Sequence, residues 1–198
     1  MSNKKDYLIL LDNGHGQETK GKQSPDGNLK EYAYAREIVK RIYDSLLNLG
    51  YNPYILVPEK EDIPLNNRVK RANSLCKNQK AILISIHCNA SSSDNKWHSA
   101  NGWSVFISQN ASSNSKRLAD CLKKYAEDSK LKIRLQYSNK SYWVQSLAIC
   151  RDTNCPAVLT ENLFQDNKKD VEFLLSENGK KIITDLHVNG IIDFINNN

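Results

Sequence analysis

The chain has 198 residues, which is the size of one domain, and its 28 Lys and Arg against 22 Asp and Glu give a net charge of +6. Its 39% apolar and 25% charged residues allow an ordinary core and exclude a disordered chain. Apolar runs such as Leu8–Leu11 are too short to span a membrane, and Tyr7–Leu11 is too short for a signal peptide. We therefore expect one domain over residues 1–198, monomeric and made in the cytoplasm without a signal peptide, which reaches an outside target only after release.

The cysteines and the net charge narrow the class of protein further. Five cysteines, an odd number, are scattered along the sequence, which favours reduced thiols over a disulfide framework. The positive charge predicts attraction to polyanions in general. No Arg-rich or aromatic–basic motif accompanies it, so we expect no nucleic-acid partner.

Short apolar segments alternate with segments of helical spacing along the chain. Strands are predicted over Tyr7–Leu11, Tyr54–Val57, Ala81–Ile86, Trp103–Ile107, Leu147–Cys150 and Ala157–Thr160. Helices are predicted from Glu31 to Leu49, over Leu65–Cys76, around Leu118 and Tyr125 with Ser112 or Ser113 as the cap, over Val171–Leu175 and over Ile182–Ile195. Loops are predicted over Ala90–Asn101 and, facing the site, over Leu131–Tyr142. The alternation predicts a single α/β domain whose central, mostly parallel sheet of about six strands is flanked by helices.

Chemically active side chains follow the predicted strands at the edge where their carboxyl ends meet. His15 follows the first strand, His87 the central strand and Glu161 the late strand. Glu31 opens the first helix, which starts near the same edge. In open α/β sheets functional groups collect at this edge, so we expect these four side chains to converge.

Two histidines with carboxylates are a ligand set that zinc hydrolases use. Three protein ligands hold the ion, water takes the open position, and a further carboxylate transfers protons. Gly14 and Gly16 flank His15, so the backbone there is free to turn sharply. Placement alone leaves open which carboxylate would bind the metal.

A set of motifs resembles the zinc-dependent N-acetylmuramoyl-L-alanine amidase family of the amidase 3 type. The motifs keep the family's order and approximate spacing along nearly the whole chain: Leu11–Gly16, Glu31 at a helix start, Arg68 to Asn73, Ser85–Ala90 and Pro156–Glu161. The resemblance implies hydrolysis of the amide between N-acetylmuramic acid and L-alanine in peptidoglycan. It implies that His15, Glu31 and His87 bind Zn²⁺ and that Glu161 is the catalytic carboxylate.

The sequence departs from the family pattern in three places without losing a candidate ligand. Asn13 stands where the family usually has Pro, Gln17 where it has Gly, and Leu163 where it has Gly. These departures affect loop shape and substrate fit rather than the chemistry. A catalytic domain of this kind resembles phage or prophage lysins more than exported cell-division amidases.

Further residues receive weaker predictions. Asn89, Arg151 and His98 are predicted to contact the substrate. His187 is predicted to lie on the surface, Cys88 in the core, and Arg68 to anchor a loop. For Glu161 the alternative is a plain ion pair with Arg151 or Arg36. The alternative functions are a zinc peptidase or deacylase that acts on another amide, and an inactive wall-binding module.

Overall fold

A computed structural model describes residues 4–136 and 140–197, which form one α/β domain around a six-stranded sheet. Its strands are β1 (Tyr7–Asn13), β2 (Asn52–Ile55), β3 (Lys80–Asn89), β4 (Ser104–Ile107), β5 (Trp143–Val144) and β6 (Ala157–Phe164). Their order across the sheet is β2-β1-β3-β6-β4-β5.

Most of the sheet is parallel, as the alternation of elements predicts. β1 pairs in parallel with β2 and β3, β3 pairs in parallel with β6, and β4 pairs in parallel with β5. Among the strand pairings of this sheet in the described residues, only that of β4 with β6 is antiparallel. The apolar run at 81–86 lies at the centre because a strand covered by helices on both faces needs apolar side chains on both sides. The predicted fold class is confirmed.

Helices cover both faces of the sheet and bury two apolar clusters. The helices are α1 (Glu31–Asn48), α2 (Leu65–Cys76), α3 (Ser113–Asp128), α4 (Ala148–Arg151), α5 (Lys168–Leu175) and α6 (Glu177–Asn196). The larger cluster joins one face of the sheet to α1, α3, α5 and α6. The smaller cluster lies under α2 and α4 on the other face. The second face is therefore thinly covered, and a cavity remains open there.

Local signals at the helix ends act as the sequence predicts. Gly50, just past α1, has a φ of 83°, a left-handed conformation that glycine adopts without steric cost. Ser112 caps α3, since its side chain accepts a hydrogen bond from the backbone N–H of Ser115.

The segment 145–156 differs from the prediction. The predicted strand Leu147–Cys150 is wrong, because the backbone N–H groups of Cys150 and Arg151 bond to the carbonyl of Leu147 and close a helical turn, α4. A short apolar run suits a buried strand and a buried helical turn equally well. The two-residue strand β5 lies just beyond the loop predicted over 131–142, and residues 137–139 of that loop lie outside the described residues.

β3 and β6 are longer than predicted, and this changes the position of two candidate residues. β3 continues through His87 to Asn89, and β6 continues through Glu161 to Phe164. His87 and Glu161 are register partners on neighbouring strands rather than residues beyond the strand ends. Polar side chains such as these favour a loop in the sequence pattern, but here they face the site from within the sheet.

The prediction that His187 lies on the surface is wrong. Its side chain is fully buried where α6 packs beside α1 and α3. The imidazole Nδ1 lies 2.7 Å from the carbonyl oxygen of Ile183, and Nε2 lies 2.9 Å from the hydroxyl of Thr160. Burial lowers the pKa of His187 to about 4, so it is a neutral core residue at physiological pH.

Leu163 adopts a left-handed backbone conformation, with a φ of 64°, although its side chain is buried in the core. Left-handed geometry costs a non-glycine residue roughly 1–2 kcal/mol, whereas glycine avoids this cost. Leu163→Gly and Leu163→Ala both remove most of the buried side chain. We expect the glycine variant to be the more stable of the two by about 1 kcal/mol.

Urea unfolding of the two variants measures the difference between their free energies of unfolding. Both variants lose nearly the same packing, so the difference reports the backbone conformation at this position. Equal midpoints, or a more stable alanine variant, would show that the backbone at Leu163 carries no strain.

Candidate metal centre

Three predicted ligands come together at the carboxyl edge of the sheet. One ligand atom from each of His15, Glu31 and His87 can be chosen so that all three atoms lie within 4.8 Å of one another. His15 Nε2 is 3.4 Å from Glu31 Oε2, and His87 Nδ1 is 3.1 Å from Glu31 Oε1. The two imidazole rings meet edge to face with centroids 5.1 Å apart. The arrangement gives two nitrogen donors and one carboxylate facing a common point.

His15 lies in the loop after β1 and is held in an unusual conformation. Its φ is 59°, which is uncommon for a residue other than glycine. Its carbonyl oxygen accepts hydrogen bonds from Arg36 of α1 at 3.0 Å and from Arg68 of α2 at 3.3 Å. Two guanidinium groups, one from the buried Arg68 and one from the half-buried Arg36, thus stabilise a strained backbone at a candidate site residue.

Glycine is needed at positions 14 and 16 because neighbouring atoms lie too close for a side chain there. The backbone dihedral angles at these positions do not require glycine. A Cβ on Gly14 would lie 2.4 Å from Cε1 of His87, and a Cβ on Gly16 would lie 2.1 Å from the backbone nitrogen of Asp62. A larger residue at Gly14 would therefore displace the His87 ring. The structure thus assigns both glycines to close packing against His87 and Asp62, whereas the sequence predicts that they allow a sharp turn.

Glu31 is almost completely buried at the start of α1. Its Oε1 accepts a hydrogen bond from the backbone N–H of Cys88 at 3.0 Å, where β3 has a bulge between His87 and Asn89. Within the described residues, its Oε2 has no hydrogen-bond partner. A buried carboxylate oxygen without a partner is costly, and a cation at this point would satisfy it.

Two of the three candidate ligands have protonation states that suit a metal ion. Burial lowers the pKa of His15 to about 4, so its imidazole is neutral near pH 7 and free to coordinate. Burial alone would raise the pKa of Glu31, but its hydrogen bond to His87 and the positive charge of that imidazole hold it below its usual value. Burial would lower the pKa of His87, but the same bond to Glu31 raises it, so His87 has to give up a proton in order to coordinate a metal. The neutral His15 and the ionised Glu31 fit the donor preferences of zinc.

Glu161 stands beside this group on β6, in register with His87 on β3. Its Oε2 is buried and has no hydrogen-bond partner in the part of the chain that the structure describes. Burial, with the negative charge of Glu31, raises the pKa of Glu161 to about 7, although the positive charge of His87 opposes this shift. A carboxyl group with a pKa near 7 can both accept and donate a proton at neutral pH.

The alternative of an ion pair for Glu161 is not observed in the described part of the chain. Arg151 pairs with the neighbouring Asp152, and Arg36 bonds to the backbone carbonyls of Glu59, His15 and Tyr32. Glu161 is thus left facing the candidate metal ligands.

A buried ionic network supports the loop that carries His15. Arg68 donates to Asp12 Oδ1 at 3.0 Å and to the carbonyl of Asn13, and the hydroxyl of Ser85 donates to Asp12 Oδ2. Arg68 and Asp12 are only 2% and 1% exposed. Arg68 thus anchors a loop, as predicted, and joins α2, β1 and β3 directly beneath the site.

Two residues support the site through hydrogen bonds that the sequence pattern does not predict. Asn162 donates from Nδ2 to the carbonyl of His87 at 3.0 Å and accepts from Trp103 Nε1 at 2.9 Å. Arg36 supports His15 from α1. Asn162 directly follows Glu161, and a buried amide beside a site residue was the available signal.

The three predicted substrate contacts lie outside the cavity at the metal centre. Arg151 is bonded to Asp152 and Ser146, His98 Nε2 lies 2.8 Å from Asp94 Oδ1, and Asn89 accepts from the N–H of its own neighbour, Ala90. The structure brings His15, Glu31, His87 and Glu161 together, but not these three residues. Substrate contact by Asn89, Arg151 and His98 stays a prediction.

A cavity of about 420 Å³ opens beside His15 and His87 on the thinly covered face of the sheet. Its floor includes Asp12 and Ser85 of the buried network. Its apolar walls come from the start of α2 and from α4 and the residues just before them: Ile63, Pro64, Leu65, Leu147, Ala148 and Ile149. The cavity gives an extended ligand a place next to the candidate metal ligands.

Comparison with known proteins places this geometry in a family. The sequence model of the family described as N-acetylmuramoyl-L-alanine amidase (Amidase_3) matches residues 9–193. An endolysin of Bacillus phage SPP1 is 27% identical over 191 residues, which cover 96% of this chain and 66% of the endolysin. The chain thus spans just under two thirds of that relative's length.

Two solved structures share the fold. N-acetylmuramyl-L-alanine amidase Ami1 from Mycobacterium smegmatis superposes with a TM-score of 0.86 at 19% identity, with 100% of both chains covered. The catalytic domain of CwlV, an N-acetylmuramoyl-L-alanine amidase from Bacillus (Paenibacillus) polymyxa var. colistinus, gives a TM-score of 0.81 at 23% identity, covering 96% of this chain and 98% of that domain. The predicted arrangement of sheet and helices is therefore an architecture already seen in solved proteins.

Proposed function

Because the chain belongs to the N-acetylmuramoyl-L-alanine amidase family, we propose that it uses zinc to hydrolyse the amide bond between N-acetylmuramic acid and L-alanine in peptidoglycan. The observation that supports this most directly is the group formed by His15, Glu31 and His87, with Glu161 beside it. All four residues lie within the matched part of the chain. The similarity to a phage endolysin favours a lysin-like role in cell-wall degradation.

The proposed zinc site consists of His15, Glu31 and His87. The neutral imidazole of His15 and the partnerless Oε2 of Glu31 fit this ion. When bound, zinc in a site with three protein ligands lowers the pKa of water and stabilises negative charge that develops on an amide oxygen. The Cys88 N–H bond to Glu31 and the arginine bonds to the His15 carbonyl keep the ligands in place.

Glu161 supplies the proton transfer in this proposal. With a pKa near 7, its carboxylate accepts the proton of the attacking water and then donates it to the nitrogen of the departing L-alanine. Its position in register with His87 puts it beside the metal ligands, and its partnerless Oε2 leaves an oxygen available for this step. One carboxylate thus acts first as base and then as acid.

The site of action follows from the substrate. We propose that the protein acts on the bacterial cell wall. In the part of the chain that the structure describes, no helix is both long and apolar enough to span a bilayer.

Three expectations from the sequence stay predictions. They are that the protein is a monomer, that it has no nucleic-acid partner and that one catalytic domain covers the whole chain.

Zinc binding and bond specificity are tested together on purified peptidoglycan. The zinc-loaded protein is expected to release new N-terminal alanine without new reducing sugar ends, and chelation followed by zinc addition should abolish and restore this release. His87→Ala removes one of three ligands, so bound zinc and activity should fall together. His98→Ala, which removes a histidine outside the centre, should retain its zinc.

The reaction products distinguish the proposed amidase from a zinc peptidase and from an inactive wall-binding module. New N-termini other than alanine would indicate a zinc peptidase, and binding to the wall without any product would indicate an inactive binding module. One equivalent of zinc with full lysis in His87→Ala would show that the ligand assignment is wrong.

A further inference from the structure

Two chain segments far apart in sequence are held together on the second face of the sheet. Asn73 of α2 donates from Nδ2 to the carbonyl of Asp152 at 2.9 Å, and its Oδ1 accepts from the N–H of Asn154 at 2.7 Å. Cys76 lies three residues further along α2 and therefore on the same side of the helix as Asn73. Cys155 directly follows Asn154. The paired bonds of Asn73 thus bring Cys76 and Cys155 towards each other.

The two thiols are neighbours on this face of the sheet. Both side chains are partly buried against the apolar cluster under α2 and α4. Their interaction lowers the pKa of Cys76 and, together with burial, raises that of Cys155. Both residues keep part of their surface exposed, so a small reagent has access to them.

We propose that Cys76 and Cys155 are a dithiol site that forms a reversible intramolecular disulfide with a small-molecule disulfide as oxidant. The inference rests on the Asn73 bonds and on the shared position of the two cysteines against one apolar cluster, and it is independent of the proposed amidase activity. It modifies the expectation that all five cysteines act as isolated reduced thiols. Cys88 and Cys150 are buried, and Cys121 lies on α3 at the opposite face of the sheet.

The two sulfurs take different roles because the pKa of Cys76 is the lower of the two. Cys76 attacks a sulfur of the oxidant as a thiolate, forms a mixed disulfide and releases one reduced thiol. Cys155 then loses its proton to solvent and attacks the Cys76 sulfur, which releases the second reduced thiol. Two electrons pass from the protein to the oxidant, whose own S–S bond is broken.

The bond would connect the two walls of the cavity beside the metal centre. α2 contributes Leu65 and Arg68 to this cavity, and α4 contributes Ala148 and Ile149. Cys76 ends α2, and Cys155 follows α4 by a few residues. A covalent link here would also close a long loop and restrict the unfolded chain.

Incubation of the intact protein with glutathione disulfide tests the site. Peptide mapping without reductant is expected to show one disulfide joining Cys76 to Cys155, with two thiols lost from the free-thiol count. The oxidised protein should unfold about 5–15 °C higher than the reduced protein. Dithiothreitol should reverse both changes. Cys121→Ser, a control on another partly exposed cysteine, should behave like the unmodified protein, whereas Cys76→Ser should form no internal disulfide.

The proposal is overturned by either of two results. One is that both thiols still titrate after oxidation or carry only separate glutathione groups. The other is that Cys155 is found linked to Cys150 rather than to Cys76. Mass mapping reads these results directly from the folded chain and does not depend on peptidoglycan hydrolysis.

Discussion

Glu161→Gln is expected to slow peptidoglycan hydrolysis by about 10²–10⁴-fold while bound zinc stays at the level of the unmodified protein. Glutamine keeps the size of the side chain but cannot exchange a proton near neutral pH. Glu161 sits beside His87 with a partnerless oxygen and a pKa near 7, so it is suited to proton transfer. Initial rates on one peptidoglycan preparation and zinc content by metal analysis measure the two effects separately.

Glu31→Gln is the matched comparison, because it makes the same chemical change on the neighbouring carboxylate. Glu31 is placed among the candidate ligands, with Oε2 3.4 Å from His15 Nε2. A neutral amide is a poorer zinc ligand, so metal affinity should fall first in this variant. If Glu161→Gln loses its zinc and Glu31→Gln keeps it, the roles of the two carboxylates are exchanged.

Arg68→Met is expected to lower the free energy of unfolding by about 3–5 kcal/mol, because it leaves Asp12 as a buried charge without its partner. Arg68 and Asp12 are both almost completely buried, and their ion pair is 3.0 Å long. Methionine fills much of the same volume, so the loss reports the missing charge and hydrogen bonds rather than an empty space. The carbonyls of Asn13 and His15 also lose a donor.

Arg71→Met provides the control on the same helix. Arg71 pairs with Glu59 at 2.6 Å, but both side chains are about one third exposed. An exposed pair of this kind contributes only about 0–1 kcal/mol. Chemical denaturation of both variants gives the comparison, and adding Asp12→Asn to Arg68→Met should recover part of the loss. Equal losses for Arg68→Met and Arg71→Met would show that the buried network does not stabilise the fold.

The sequence predicts the regular elements well where hydrophobic pattern and end signals agree. The helix from Glu31 is bounded by Gly50, and the apolar run at 81–86 is the centre of the sheet. Prediction from the sequence fails where the apolar pattern is short, because Leu147–Cys150 suits a strand and a helical turn equally well. His187 was misplaced because α6 is apolar on several sides, and only the packing of α1 and α3 against it shows that the imidazole is buried.

The candidate site was predictable because strand order places distant residues at one edge. His15 follows β1, and His87 and Glu161 lie near the ends of β3 and β6. These three strands are neighbours in the sheet, so topology alone brings the three residues together. The supporting contacts were not predictable in this way. Asn162 and Arg36 act through backbone carbonyls, and such bonds depend on loop conformation that no residue spacing reveals.

The carbonyl of His15 is reached by Arg36 from α1 on one side of the sheet and by Arg68 from α2 on the other. The loop can therefore take its final shape only after helices have docked on both faces. Metal affinity then becomes a property of the whole layered assembly, and a peptide containing residues 13–17 would not reproduce it. Since the ligands are also far apart in the unfolded chain, occupancy of the centre and integrity of the fold are linked quantities.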